Sequence, residues 1–265
     1  MTPLKFIYFP FVIGIILIPH EIYGKRPNKI VNGTDAAITD FPGMVSIQNW
    51  GFHFCGGVLI TKRHVLTAAH CLTNVDGTSK LVRLLDKDAF TVATGSSNCQ
   101  KPEHVYNIER FDVHPHYIVR PPQVYNDIGI ITLAEDIIVD EKQRPMRLST
   151  LYCGAGQYAT VVGWGFLHEG GGTTAKLQKA PVITLSNTEC IRRLPHPIGK
   201  HQICGFYKDG VGFCDGDSGG PLISNGQVVG VVSMGYECGA GLPDIYTRVH
   251  SYLPWIYRTV FKFKR

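Results

Sequence analysis

The chain has 265 residues, of which 44% are hydrophobic, and it carries 26 basic and 21 acidic side chains for a formal net charge of +5. This length can bury one large or two small globular cores, and the hydrophobic content is ordinary for a globular protein. Without residues 1–29, which we expect to be removed, 22 basic and 20 acidic side chains remain. So small an excess gives no reason to expect a nucleic-acid partner.

The chain begins with an apolar segment that follows Lys5 and runs from Phe6 to Ile18. The segment is too short and too interrupted for a membrane span, so we interpret residues 1–24 as a secretory signal peptide with cleavage near Gly24. An N-terminal anchor helix is the alternative. The signal peptide predicts a secreted, extracellular protein without stable membrane association.

Eight cysteines follow the leader. In an exported chain they indicate an oxidising destination in which thiols pair as disulfides, and eight cysteines allow about 105 pairings. CxxC and HxxxH spacings are absent from the sequence. We therefore expect no metal site and no cofactor.

Short β-rich runs dominate the rest of the chain, with Gly, Pro, Asn and Asp between them. The clearest runs are Val58–Ile60, Ile128–Leu133, Ala159–Trp164 and Val228–Val232. Only Ser251–Phe261 has a pattern that favours a helix. The pattern predicts an all-β protein with a C-terminal helix, and by itself it does not distinguish a sandwich from barrels.

Three motifs contain the residues of a nucleophilic site. In chain order they are Leu66–Cys71 around His70, Asn126–Ile131 around Asp127, and Gly216–Pro221 around Ser218. Taken singly, each has an ordinary structural interpretation as a buried histidine, a cap or a Gly-rich turn. Their occurrence together in this order favours catalysis by a serine hydroxyl.

These motifs resemble those of the trypsin/chymotrypsin-like serine proteases. The resemblance covers nearly everything from Ile30 onward and makes residues 30–265 the protease domain. It implies two six-stranded antiparallel β-barrels with the active site between them, and a C-terminal helix.

The resemblance also implies the role of each site residue. Ser218 attacks the peptide carbonyl, His70 accepts and returns the proton, and Asp127 orients the imidazole. Backbone N–H groups of Gly216 and Ser218 would bind the oxyanion. Ser233 matches the position that supports the aspartate. Ser233, Met234 and Gly235 match the segment that pairs with an extended substrate backbone.

Activation is implied by the segment Lys29-Ile30-Val31-Asn32-Gly33, which looks like the family's zymogen junction. Residues 25–29 would then be a short activation propeptide. A protease of basic specificity would cut after Lys29, and the ammonium group of Ile30 would pair with Asp217.

The resemblance places Gly212 where trypsin has the aspartate of its specificity pocket. Phe213 and Gly235 would line the pocket, and Asp244 matches another position in its wall. We expect an apolar pocket that accepts bulky residues such as Leu, Phe, Tyr or Met. An inward-facing Asp244 would instead give broad or basic-residue specificity.

Three disulfides are implied by the resemblance: Cys55–Cys71, Cys190–Cys204 and Cys214–Cys238. Cys99 and Cys153 remain and are paired with each other only by elimination, with free thiols or an intermolecular link as the alternatives. Asn32 lies in the one N-x-[S/T] sequon, so a glycan is permitted there. Residues 86–103 do not reproduce the calcium-loop pattern of some relatives clearly enough to assign an ion.

Two other classes of function remain as alternatives. A secreted binding protein could keep the fold without turnover. A lipase or esterase is disfavoured, because its serine would lie in G-x-S-x-G with the histidine last. For the protease we expect peptide or protein substrates, an activating protease, protein inhibitors as further partners, and a monomer.

Overall fold

A computed structural model describes residues 33–76, 81–236 and 238–261. The predictions for residues 1–24 and 25–29, and for Lys29, Ile30 and Asn32, lie outside these ranges. In the described part the chain forms short strands and two short α-helices. The strands are β1 (Thr34–Asp35), β2 (Met44–Asn49), β3 (Phe52–Leu59), β4 (His64–Thr67), β5 (Thr73–Val75), β6 (Val82–Leu84), β7 (Phe90–Thr94), β8 (His104–Val113), β9 (Ile118–Arg120), β10 (Gln123–Tyr125), β11 (Gly129–Leu133), β12 (Tyr158–Gly163), β13 (Gln178–Leu185), β14 (Gln202–Phe206), β15 (Pro221–Ser224), β16 (Gln227–Met234) and β17 (Asp244–Arg248). The helices are α1 (Asn187–Arg193) and α2 (Leu253–Val260).

The first barrel is closed by six antiparallel strands in the order β11-β4-β3-β2-β7-β8. Branched aliphatic side chains such as Val65, Ile130 and Ile131 are fully buried and belong to one hydrophobic cluster that packs on the two faces of this sheet. Such side chains pack well on a pleated surface, and closure of the sheet leaves no unpaired edge. Two small hairpins, β5–β6 and β9–β10, lie outside this barrel.

The second barrel has the order β13-β12-β15-β16-β17-β14, and β14 pairs back with β13 to close it. The short strand β1 is added at the outer side of β13. Leu222, Val232 and Tyr246 are buried in its core. The prediction of two six-stranded antiparallel barrels is thereby confirmed.

The predicted β-runs fall on strands β3, β11, β12 and β16, with Ile60, Ile128 and Trp164 one residue beyond the strand ends. The predicted C-terminal helix is also present, but it begins with a 3₁₀ turn at Val249–Tyr252 and becomes α-helical at Leu253. Pro254 occupies the first turn of α2, where its missing N–H costs no helical hydrogen bond.

Helix α1 was not predicted. Ser186 caps it by accepting a hydrogen bond from the Glu189 N–H at 3.1 Å. The sequence Ser186-Asn187-Thr188-Glu189 has the spacing of a capping box, which would have indicated this N-terminus.

The three disulfides implied by the resemblance are all present: Cys55–Cys71, Cys190–Cys204 and Cys214–Cys238. The pairing of Cys99 with Cys153 is wrong, because both are free and buried. Cys99 packs in a cluster with Trp164, whereas Cys153 packs in the core of the second barrel. Elimination failed here because it assumed that every cysteine had a partner.

No helix in the described ranges is long and apolar enough to cross a membrane.

Candidate active site

His70 and Asp127 are in direct contact at the edge of the first barrel. His70 lies in a 3₁₀ turn at Ala69–Leu72, just after β4, and Asp127 lies just before β11. Because β4 and β11 are neighbouring antiparallel strands, these two segments meet. His70 Nδ1 is 2.8 Å from Asp127 Oδ2, and the His70 backbone N–H donates to Asp127 Oδ1 at 3.0 Å.

The Asp127 carboxylate is buried, with 1% of the residue exposed. Ser233 donates its hydroxyl to Asp127 Oδ2 at 2.6 Å, and the Thr247 hydroxyl donates to the Asp127 backbone carbonyl at 2.7 Å. Burial opposes ionisation of Asp127, but the charge and hydrogen bonds of His70, with the Ser233 bond, hold its pKa below the usual value. Both hydroxyl contacts come from the second barrel, so the aspartate is fixed at the seam between the barrels.

The same contact changes the proton affinity of His70. Burial lowers its pKa, but the Asp127 carboxylate outweighs this effect and raises the pKa above 6.5. The His70 side chain remains 31% exposed and can be reached from the cleft. An imidazole that is held by a carboxylate and open on its other side can act as a general base.

The Ser218 segment is packed against the strand that leads to His70. The Gly56 N–H donates to the Ser218 carbonyl at 2.8 Å. A Cβ added at Gly219 would lie 2.1 Å from Thr67 Oγ1 and 3.2 Å from Ala68 N. Ala68 is two residues before His70, so the structure brings the serine loop of the second barrel to the histidine turn of the first.

The backbone N–H groups of Gly216 and Ser218 have no backbone acceptor in the described part of the chain, and the hydrogen bonds of the preceding carbonyl groups show which way they point. The Asp215 carbonyl accepts from Phe166 N at 2.7 Å, and the Asp217 carbonyl accepts from Gly220 N at 3.0 Å. In a trans peptide the C=O and N–H bonds point in opposite directions. The N–H groups of Gly216 and Ser218 therefore point to the other side, and among the described residues neither has a backbone partner.

Gly216 has φ of 91°, and a Cβ at this position would lie 3.1 Å from Gly165 Cα. A side chain at this position would be strained by the positive φ and would also crowd the neighbouring main chain. The glycine thus permits the loop geometry that exposes its N–H.

His53 fixes this loop and was missed by sequence reasoning. Its Nε2 is 2.9 Å from the Gly216 carbonyl oxygen, and its Nδ1 is 2.8 Å from Ser46 Oγ. Burial lowers the pKa of His53 to about 4, so the ring is neutral at neutral pH. Only a protonated Nε2 can donate to the carbonyl, so Nδ1 must accept from Ser46. Nothing in the local sequence separates His53 from the other ten histidines.

Asp244 faces the predicted pocket. Its Oδ2 accepts from Phe213 N at 3.1 Å and would lie 2.8 Å from a Cβ at Gly212. A Cβ at Gly235 would lie 3.3 Å from Asp244 Oδ1 and 3.1 Å from the Phe213 ring. Burial raises the pKa of Asp244 to about 8. The Asp244 carboxyl group therefore lies beside Gly212 and Gly235 and next to Phe213.

Asp217, the residue before Ser218, is fully buried. Its two oxygens accept from Gly165 N at 2.8 Å and from Cys214 N at 3.0 Å. Despite these bonds, burial raises its pKa to about 7. A carboxylate in this position would be stabilised strongly by a cation.

One group of three potential metal-ligating residues occurs in the described ranges, formed by Cys55, His70 and Cys71. The two sulfurs are joined in a disulfide, so they offer no thiolate to a metal ion. The disulfide instead ties β3 to the His70 turn.

Two barrels that join an Asp-bound histidine to a serine in a Gly-Asp-Ser-Gly loop define a chymotrypsin-like serine protease, a class of hydrolase. The family model for trypsin matches residues 30–256. The chain belongs to the trypsin family, and it is a serine endopeptidase by class.

Relatives and solved structures agree with this assignment. The chain is 39% identical to chymotrypsin-2 of Vespa crabro over 86% of this chain and 98% of that protein. It is 33% identical to trypsin alpha-4 of Lucilia cuprina over 96% of this chain and 97% of that protein. The structure is similar to that of neuropsin, a serine protease expressed in the limbic system of mouse brain, with a TM-score of 0.77 and 29% identity over 86% of this chain and 99% of that one.

Proposed function

We propose that the chain is a secreted endopeptidase, made as a zymogen, in which Ser218, His70 and Asp127 form the catalytic triad. The observation that carries the proposal is the hydrogen-bonded pair of His70 and Asp127 beside the Ser218 loop, two N–H groups of which have no backbone acceptor among the described residues. These groups supply a base, a nucleophile and an oxyanion site in one cleft.

In this mechanism the Ser218 oxygen bonds to the carbonyl carbon of the substrate as its proton passes to His70 Nε2. The carbonyl oxygen becomes an oxyanion, which the N–H groups of Gly216 and Ser218 stabilise by about 3 kcal/mol each. His70 then gives its proton to the leaving amine, and an acyl-enzyme remains. Water repeats the sequence and releases the acid, with Asp127 holding the imidazolium throughout.

We propose that the precursor, comprising a signal peptide (1–24) and a propeptide (25–29), is activated by cleavage after Lys29. The new ammonium group of Ile30 would pair with Asp217, whose buried carboxyl group accepts only backbone N–H bonds in the described ranges. Burial makes ionisation of Asp217 unfavourable and so raises its pKa. A cation beside the carboxylate would offset a large part of this free-energy cost. The three disulfides support an oxidising, extracellular destination.

For specificity we propose bulky apolar residues before the scissile bond at neutral pH. Asp244 faces the pocket, but with a pKa of about 8 it is mainly uncharged at pH 7. The name of the chymotrypsin-2 relative is consistent with this preference. At higher pH Asp244 would ionise, and its carboxylate would allow the pocket to accept Lys and Arg side chains as well.

The test of catalysis is covalent labelling with a fluorophosphonate probe after verified cleavage at Lys29. We expect the activated chain to be labelled and the Ser218→Ala variant to remain unlabelled, with Ser251→Ala labelled as the control. Failure of the cleaved wild-type chain to react would favour a non-catalytic binding protein. Labelling of the uncut precursor at the full rate would refute the zymogen step alone.

A further inference from the structure

A second cavity, of about 350 Å³, lies where the β9–β10 hairpin meets the start of β14 and the turn before α2. It is lined by His116, Ile118, Arg120, Tyr125, Asn126, Gly199, His201, Gln202 and Tyr252. The charged or titratable nitrogen groups among these are a guanidinium and two imidazoles, and no acidic side chain of the described ranges lines the cavity. The cavity therefore presents one permanent cation, the guanidinium of Arg120, and two imidazoles, with no carboxylate among the lining residues.

The walls of this cavity are held by hydrogen bonds. Asn126 donates to the His116 carbonyl at 2.6 Å and accepts from the Tyr252 hydroxyl at 3.0 Å. Gln202 donates to the Val124 carbonyl at 3.2 Å and accepts from Gly199 N at 2.7 Å. These contacts connect both barrels, so the cavity keeps its shape without a ligand, and little ordering is required on binding.

Further positive charges surround the cavity. Lys200 and Arg248 lower the pKa of His201, in addition to burial. The pKa of His114 is lowered by burial and then by its neighbours His116, Arg258 and His201. The ring of His114 lies 5.7 Å from that of His116. The buried carboxylate of Asp127 follows Asn126 in the chain, but His70 and Ser233 already engage it.

The guanidinium and the two imidazoles that line the cavity are accessible to a ligand. Arg120, His116 and His201 are exposed residues, and in the described part of the chain none of them forms an ion pair with a carboxylate. A guanidinium presents paired N–H donors that match the oxygens of a sulfate or phosphate. An imidazolium adds a charge-assisted donor.

We propose that this cavity binds a sulfate or phosphate monoester on a soluble molecule of about monosaccharide size. The charge of the walls selects the ester group, and the volume fits one small ligand better than a bare ion. An anion beside His201 would oppose the effects of burial, Lys200 and Arg248 and favour its protonated form, so binding takes up a proton and strengthens as the pH falls. This site is separate from the catalytic groups and goes beyond peptide-bond cleavage.

Calorimetric titration tests the proposal, with the Ser218→Ala chain cleaved after Lys29 to avoid self-digestion. The probes are glucose 6-sulfate, glucose 6-phosphate, glucose, inorganic sulfate, and vesicles with anionic phospholipid. We expect both esters to bind at pH 6, with affinity at least about fivefold higher than at pH 7.5. Glucose should not bind, and sulfate alone should bind more weakly.

Two pairs of variants distinguish ester binding in this cavity from binding to surface charge in general. His116→Gln/Arg120→Gln removes an exposed imidazole and an exposed guanidinium of the cavity, and Arg147→Gln/His168→Gln removes the same two kinds of group elsewhere on the surface. We expect the first pair to weaken ester binding by about tenfold or more and the control pair to leave it within about twofold. Equal losses in both pairs, or no ester binding at pH 6, would overturn the proposal. Binding to vesicles but not to the esters would assign the surface to a membrane headgroup and reject the soluble ligand.

Discussion

Phe213 donates its backbone N–H to Asp244 Oδ2 at 3.1 Å, and this bond holds the carboxyl group between the two glycines of the pocket. Asp244 is the first residue of β17, and burial raises its pKa to about 8, so its carboxyl group is mainly neutral at pH 7. We therefore expect the proposed pocket to change its charge within an accessible pH range.

The first prediction concerns this change. The pKa of Asp244 is about 8, so its ionised fraction rises about tenfold between pH 7 and pH 9. The ratio of kcat/KM for a Lys substrate to that for a Leu substrate should rise with pH by a similar factor. Asp244→Asn should make the ratio independent of pH, whereas Asp136→Asn, at an exposed site, should not. A wild-type ratio that stays constant across this range would contradict the assignment.

Local motifs in the sequence were enough to propose site residues, whereas contacts between distant residues were not predictable from it. His70, Asp127 and Ser218 could be proposed as the catalytic residues because each lies in a short distinctive segment. The link between His53 and Gly216 joins residues 163 positions apart, and no local pattern reports it. The direction of Asp244 likewise depends on Phe213, which approaches from another loop.

The cysteines show the same limit. Three disulfides could be inferred because the family resemblance places both partners of each. Cys99 and Cys153 have no such context, and their separation into different cores is a consequence of packing. Strand positions were predictable because the β-rich runs are local, whereas closure into barrels came from the resemblance and not from the runs.

The second prediction follows from the free thiols. Burial raises the pKa of Cys99 to about 11 and raises that of Cys153. Both should react very slowly with iodoacetamide in the native protein, because the thiolate is the reactive form. Mass spectrometry after unfolding should count two alkylated cysteines without reduction. A count of zero would indicate that these two cysteines are oxidised.

The third prediction concerns His53, a positioning residue for the oxyanion loop. His53→Leu removes the donor to the Gly216 carbonyl, so we expect kcat to fall by up to about 10²-fold with a much smaller change in KM. His53→Gln can present an amide N–H in place of Nε2 and should recover part of kcat. Equal loss in both variants, or a loss confined to KM, would indicate that His53 only supports packing.

The fourth prediction tests the proposed ion pair of Asp217. Asp217→Asn keeps hydrogen-bond acceptance at one oxygen but removes the charge that would face the Ile30 ammonium. Loss of one partner of a buried pair costs about 3–5 kcal/mol, so activity after cleavage should fall by about 10²-fold or more. N-terminal sequencing should confirm that the bond after Lys29 is cut in the variant. Asp215→Asn, at the exposed neighbouring acid, should retain activity.

The last prediction concerns the pH dependence of catalysis. In the proposed mechanism activity requires neutral His70, whose pKa lies above 6.5 because the Asp127 charge outweighs burial. The acid limb of kcat/KM should therefore have its midpoint above 6.5, with activity gained as the pH rises through it. In Asp127→Asn only the effect of burial remains, so the midpoint should move to lower pH while kcat falls by about 10⁴-fold. A lower midpoint together with a lower kcat in one variant identifies Asp127 as the partner of His70, since simple unfolding would lower the rate without shifting the midpoint. A midpoint that does not move would show that the charge of Asp127 does not control His70.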